Sequence, residues 1–312
     1  MPTPANPSAQ TIARPEIVHA TCATLPPVGR DTRDQLECIE MGRHGAAPGA
    51  RDSLRVVFWN AERGHAPEQA GDLLAETSVD VALLCELDNG IARTGRRHVT
   101  QDIARRLGAD FIYAVEFIEM ESREAGDPGF HGNAIVSHIG MSTPMLVRLG
   151  DAQRWQSGEG RARRTGDRIA LATRVMIDDS PVVMVTTHLE SHAPPGVRAS
   201  QMRILLDAID GYAAGDPVLI GGDFNTRTAA KDDLREPAAR TRLHQDFPAL
   251  FARPAPREPL FAVAEAAGYD WLSCNTSAPT ERSRNAAIDM PRFRLDWFFA
   301  RGLVCENPAV VS

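Results

Sequence analysis

Residues 218–225 read Val-Leu-Ile-Gly-Gly-Asp-Phe-Asn, an apolar run that stops abruptly on polar side chains. A short strand has this form when both of its faces are covered, and its end is where a sheet presents side chains to an open edge. The form recurs: LRVVFW leads into Asn60, VALLC into Glu86 and VVMVTT into His188. Further apolar runs lie at Phe111 to Phe117, Ala134 to Ser137, Ile169 to Ile177 and Leu295 to Ala300. Between the runs, Pro67 followed by Ala70, Leu73 and Leu74, then Val99, Ile103 and Leu107, then Met202, Leu205, Leu206 and Ile209 closed by Gly211, have the spacing of three amphipathic helices. The runs 169–177 and 182–187 are joined only by Asp178-Asp179-Ser180-Pro181, a turn too short for a crossover, so the spacing predicts a hairpin and a mixed sheet.

Outward from these runs, residues 1 to about 51 are rich in Pro, Gly, Ala, Arg and Thr without sustained periodicity, and are expected to form a flexible N-terminal extension to a domain spanning 52–312. An extended arm on the domain surface is the alternative. The chain has 312 residues, 43% of them hydrophobic and 24% charged, which excludes disorder throughout. No stretch approaches the roughly 18 to 20 apolar residues of a spanning helix, and the first thirty residues lack a basic segment followed by an apolar one, so a cytoplasmic protein is expected. The five cysteines are odd in number, scattered and without a CxxC pair, a pattern that predicts reduced thiols. A net charge of −7 gives no global attraction to a polyanion, so phosphate binding has to be local. Thirty-four residues are basic and all but Lys231 are arginine, the side chain whose planar fork grips phosphate oxygens in pairs.

Asn60, Glu86, His188, Asp223 and Asn225 all follow apolar runs. Any one of them fits a capped turn or a satisfied core group; five at successive strand ends point to a site. Their chemistry is compatible: a carboxylate and an amide oxygen are hard ligands for Mg²⁺, while a histidine and an aspartate can move protons and hold a phosphate in line.

The chain resembles the endonuclease/exonuclease/phosphatase superfamily. The matching pieces run in the family's order: FWNAE at 58–62, DVALLCELD at 80–88, HGNAIVS at 131–137, DRIALATRV at 167–175, TTHLES at 186–191, GGDFN at 221–225 and RLDWFF at 294–299. The resemblance implies a deoxyribonuclease I-like α/β fold, a four-layer sandwich of two packed mixed β-sheets flanked by helices. It implies that Glu86 and Asn60 hold Mg²⁺, with Mn²⁺ as the alternative, and that Asp223 orients or deprotonates the attacking water. Asn225 would bond a phosphate oxygen, His188 would stabilise the phosphoryl group or help the leaving oxygen, and Arg168 would contact phosphate. Asn133 is a further substrate-side candidate, with Gly132 before it letting the backbone turn sharply. The implied activity is divalent-metal-dependent hydrolysis of a phosphoester, with nucleic acid, phospholipid head groups and small phosphoesters all open as substrates. No protein partner is implied.

In the family, the aspartate matching Asp296 holds the imidazole of a histidine in a Ser-Asp-His motif on the last strand. Here none of the nine histidines follows an aspartate, and the sequence stops sixteen residues after Asp296. The expectation is a domain lacking its last strand, and the alternative to an enzyme is a non-catalytic domain that binds a phosphate ligand or partner. Arg161, Arg163 and Arg164 are candidates for a phosphate rim, and the basic segment 89–98 for substrate contact. A helix near 238–251 is expected in a loop region that carries no other readable signal.

Overall fold

The computed structural model describes residues 16–25, 33–45, 51–119, 129–150, 164–226, 238, 254–281 and 293–311. Arg161, Arg163 and nearly all of the expected 238–251 helix lie outside them. Among the described residues thirteen strands form two sheets. One has six strands in the order β1 (Glu16–Val18), β8 (Ser142–Arg148), β10 (Ile169–Ile177), β11 (Ser180–His188), β12 (Val218–Asp223) and β13 (Asp296–Arg301). The other has seven, in the order β2 (Thr21–Cys22), β3 (Ile39–Gly42), β6 (Asp110–Glu119), β7 (Gly129–Ser137), β5 (Val81–Asn89) and β4 (Val56–Arg63), with β9 (Arg164–Gly166) paired to β6.

The sheets stack face to face. Val81 and Leu83 of β5 point into the apolar layer between them with Leu146, Leu171 and Met184, while Ala82 and Leu84 point to the opposite face under the helices Pro67–Glu76 and Val99–Leu107. That double burial is why β5 reads as an unbroken apolar run rather than an alternating one. Val218 and Ile220 of β12 likewise face the helices Pro195–Ala213 and Leu260–Ala266, and Leu219 faces the inter-sheet layer. The result is helix, sheet, sheet, helix, as expected. Both sheets are mixed: β4–β5 and β11–β12 are parallel, each joined by a covering helix, and β10–β11 is an antiparallel hairpin with Asp178 and Asp179 at positive φ. The long helix passes Gly211 and ends at Ala213, because Ala214 adopts the left-handed cap conformation.

Two expectations fail. Residue 51 does not mark off a flexible tail: β1 extends the six-stranded sheet along β8, and β2–β3 extends the seven-stranded sheet along β6. These strands are two to four residues long, too short to show periodicity, and their register comes from partners far away in sequence. Nor are all thiols reduced. Cys22 and Cys38 form a disulfide with Cα atoms 6.4 Å apart, because the parallel pairing of β2 with β3 brings their neighbourhoods together. Cys85, Cys274 and Cys305 are free. No helix among the described residues is long and apolar enough to cross a membrane.

Candidate active site

At one end of the sandwich the strand tips of both sheets border a cavity of about 360 Å³. On the six-stranded side, His188 ends β11, Asp223 ends β12 and Asp296 opens β13, in direct register across the three strands. Arg168 precedes β10 and is almost fully buried. Its Nη1 lies 2.9 Å from Glu116 Oε1 and 3.0 Å from His188 Nδ1, and its Nε lies 3.3 Å from Glu190 Oε2. Arginine has only donors, so Nδ1 of His188 accepts and the ring hydrogen sits on Nε2. Burial, then the Arg168 charge, pushes the His188 pKa well below the usual imidazole range, so the ring is neutral. Its Nε2 faces Glu86 Oε1 at 3.9 Å and Asp223 Oδ2 at 3.8 Å.

On the seven-stranded side the ladder is irregular. The β4–β5 register shifts between Asn60 and Arg63, the β5–β7 register between Leu84 and Leu87, and the β6–β7 register between Val115 and Phe117. Each shift inserts an extra residue, and β-bulges of this kind re-aim side chains. Glu62, Arg63 and Glu86 take positive φ there. Gly132 sits among the bulges for a different reason than the expected sharp turn: a Cβ on it would lie 2.1 Å from the Ala114 carbonyl oxygen, so the requirement is close approach of backbones.

The bulges bring Asn60 and Glu86 to the other sheet's aspartate. Asn60 Nδ2 donates to Glu86 Oε1 at 3.2 Å and to Asp223 Oδ2 at 3.0 Å. Burial alone would raise the Glu86 carboxyl, but His188, His131 and Arg63, with the Asn60 amide, hold it at about 2. Asp223 moves the other way, to about 6, because burial outweighs the bonds it accepts from Asn60 and the Asn225 amide. Burial and the neighbouring Asp223 charge push Asp296 to about 7.

Asn60, Glu86, His188 and Asp223 thus meet, with Arg168 behind them. Asn225 is adjacent, but its side-chain amide donates to the Leu189 carbonyl at 3.0 Å and its backbone N–H to Asp223 Oδ1 at 2.9 Å, so it holds the aspartate rather than reaching into the cavity. Asn133 is fully buried and tied across the sheets to the Ile169 carbonyl at 3.5 Å, away from the cavity. Asp296 has the Thr280 hydroxyl 3.1 Å from its backbone nitrogen, and among the described residues no imidazole bonds to it.

Further groups line the cavity, of which Arg63, His131 and Glu119 are not singled out by the sequence. Arg63 Nη1 donates to Glu86 Oε2 at 3.0 Å and lies 3.2 Å from His131 Nε2. His131 Nδ1 is 2.9 Å from Asp88 Oδ1. Arg93 and Arg164 both reach Glu119. Arg93 belongs to the basic segment 89–98 and Arg164 to the expected rim; Glu116, Glu119 and His131 stand inside strands, where only the bulges reveal their direction.

As a metal site, the donor set is of the hard, oxygen-rich kind. Glu86 stays anionic, Asn60 adds an amide, and Mg²⁺ takes one or two carboxylates and keeps several waters. Among the described residues no group of three or more His, Cys, Asp or Glu side chains is placed to hold a metal ion. The residues present fit a divalent cation bound largely by water and substrate.

Two packed mixed sheets flanked by helices, with acid, amide, imidazole and guanidinium groups gathered at their strand tips, define an α/β sandwich protein. The chain belongs to the Endonuclease/Exonuclease/phosphatase family, whose model matches residues 57–311. This superfamily includes metal-dependent phosphoesterases. Similar solved structures include an endonuclease/exonuclease/phosphatase from Beutenbergia cavernae DSM 12333, with a TM-score of 0.58 and 18% identity over 81% of this chain and 65% of that one. The human nocturnin catalytic domain with bound sulfate anion gives 0.52 and 14% over 85% and 86%. The Bacteroides thetaiotaomicron mannosyl-6-phosphatase Bt3783 gives 0.50 and 11% over 80% and 86%. At these identities the likeness is one of fold. The chain spans about two thirds of the length of the Beutenbergia protein. No curated protein matches it in sequence.

Proposed function

We propose that the protein is a divalent-metal-dependent phosphoesterase that hydrolyses its substrate by in-line attack of water. The observation that carries this reading is the meeting of Asn60, Glu86, His188 and Asp223, from four strands of two sheets, with Glu86 and His188 lining the cavity. A divalent cation, when held by Glu86 and Asn60, supplies positive charge to the phosphoryl oxygens. Asp223, once ionised, takes the proton of the attacking water. Neutral His188 donates a hydrogen bond from its Nε2–H to a phosphoryl or leaving oxygen, and Arg168 fixes the tautomer that makes this possible. Asn225 holds Asp223 in place.

The test uses bis(p-nitrophenyl) phosphate and p-nitrophenyl phosphate with Mg²⁺, Mn²⁺ or chelator. Chelator and Glu86→Gln are each expected to abolish turnover. Undiminished hydrolysis by Glu86→Gln would remove Glu86 from the role. The Arg63 guanidinium on Glu86 Oε2 favours a second reading, a domain that binds a phosphate ligand without cleaving it. That reading predicts saturable phosphate binding and no product under any metal condition.

A further inference from the structure

On the seven-stranded side of the cavity, Arg63, Arg93, His131 and Arg164 have no task in the reaction just described. There, Arg93 Nη1 lies 2.6 Å from Glu119 Oε2, and Arg164 Nη2 lies 2.6 Å from Glu119 Oε1, so two guanidinium groups converge on one carboxylate. Arg93 also grips Asp88 through Nε at 2.6 Å and Nη2 at 2.7 Å, and Asp88 in turn meets His131. His131 passes the chain of contacts to Arg63, and Arg63 to Glu86. The order of depth is consistent. The side chains of Arg63, Arg93 and Arg164 are 28%, 30% and 14% exposed, whereas those of Asp88 and Glu119 are 0% and 6% exposed. Asp88 lies behind the guanidinium groups, and Glu119 lines the cavity with them as the more recessed partner.

Packing does not require this arrangement. Buried ion pairs contribute little net stability against apolar side chains of similar volume. What they provide is rigidity, since an arginine anchored by carboxylates is held in a fixed plane, the geometry that binds phosphate or carboxylate in pairs. The Arg164 guanidinium is also held over the Phe117 ring, 5.5 Å from its centre. The rest of the molecule gives the size limit. With a net charge of −7, a long polyanion is repelled by the surface at large, and the cationic groups are drawn into a cavity whose volume, about 360 Å³, suits a small molecule.

We propose that Arg63, Arg93, Arg164 and His131 form a second anion subsite beside the reacting phosphoryl group, so that the substrate is a compact phosphoester carrying a second phosphate or carboxylate. The proposal rests on the phosphoesterase reading for which group is cleaved, and on the cavity alone for the second anion. The two can fail separately. Glucose 1,6-bisphosphate and 2,3-bisphosphoglycerate are compared with glucose 6-phosphate and 3-phosphoglycerate, both as calorimetric ligands without metal and as substrates with Mg²⁺ or Mn²⁺. At least one bisphosphate is expected to bind about tenfold or more tighter than its monophosphate at fixed ionic strength. Arg164→Gln, which leaves Glu119 still paired with Arg93, is expected to bring that ratio to about three or less, and Arg164→Lys to restore part of it. Ratios near one for both pairs overturn the subsite, as does a ratio unchanged in an Arg164→Gln protein that melts like the wild type. Should that variant not fold, the wild-type ratios decide. A high ratio with no phosphate released keeps the subsite and breaks the phosphoesterase reading. Ratios near one with plasmid DNA cleaved break the subsite and keep the phosphoesterase reading.

Discussion

In the six-stranded sheet, His188, Asp223 and Asp296 stand side by side on three neighbouring strands in unbroken register, whereas in the seven-stranded sheet Asn60, Glu86 and Glu116 each stand at a register shift. A regular ladder spaces neighbouring strands at roughly 4.8 Å, so whatever its tips carry is forced together. Two aspartates stand beside each other in this way, and burial, joined for Asp296 by the Asp223 charge, pushes both up, to about 6 and about 7. The bulged sheet does the reverse. Each extra residue turns a carboxylate, amide or guanidinium into a position the pleat would not give it, and Asp88 and Glu119 there find arginine partners. Burial acts against those two carboxyls as well, but for Asp88 the bonds from His131 and Arg93, and for Glu119 the charge of Arg164 and the bond from Arg93, outweigh it and lower both. The six-stranded sheet thus supplies aspartates that exchange a proton near neutrality, while in the other sheet Glu86, Asp88 and Glu119 hold their charge and burial pushes the Glu116 carboxyl up.

The strongest way to break this division is Asp223→Asn. It is expected to lower kcat by about 10³-fold with little change in KM; a change confined to KM would place Asp223 outside the proton transfer. Next comes the far edge of the bulged sheet. Cys38→Ser opens the loop closed by Cys22 and should lower the stability measured in urea by about 3 kcal/mol while leaving kcat in place. Thiol labelling of the unreduced protein, with only Cys85, Cys274 and Cys305 reacting once unfolded, is the accompanying check on the bond. Gly132→Ala, which drives a methyl group toward the Ala114 carbonyl, should cost about 1–3 kcal/mol, read as a lowered melting temperature.

The smallest expected effects are in pH and carry opposite signs in the two sheets. Glu119 and Asp88 titrate below their unfolded values, so their contribution to stability is present above about pH 4 and is lost as pH falls through their folded pKa. Asp223 and Asp296 titrate above theirs, so they favour the fold in acid and oppose it as pH rises through about 6 to 7. Asp296→Asn should therefore raise the melting temperature at pH 8 and leave it unchanged at pH 4. It should also move the acid limb of kcat to lower pH, because Asp223 then ionises without a charged neighbour. An unshifted limb would mean that the two carboxyls do not share a proton.

The same contrast explains what could be read from the chain. The double-sided burial of the eight apolar runs made their strands legible, and the abrupt polar ends of β4, β5, β11 and β12 drew attention to Asn60, Glu86, His188 and Asp223. Where the backbone stays regular, side-chain direction follows from position. Glu116, Glu119 and His131 lie inside strands and read as misplaced charges until the bulges are seen, and nothing local in the sequence marks a bulge. Strand β8, with Pro144 within it and Met145 to Val147 as its apolar stretch, was passed over, and β1 to β3 are shorter than any period. The Cys22–Cys38 bond had the same obstacle, since its geometry depends on strands whose own partners lie far along the chain.

Those N-terminal strands also have a history in time. Glu16–Val18 closes one sheet against Leu146 to Arg148, and Ile39–Gly42 joins the other against Phe111 to Ala114. At a synthesis rate of about 5–20 residues per second, the partner of Glu16 is made on the order of ten seconds after Glu16 itself. The segment that ties both sheets together is thus among the first described residues to leave the ribosome but has to wait for β6 and β8, and until it docks their edges are bare.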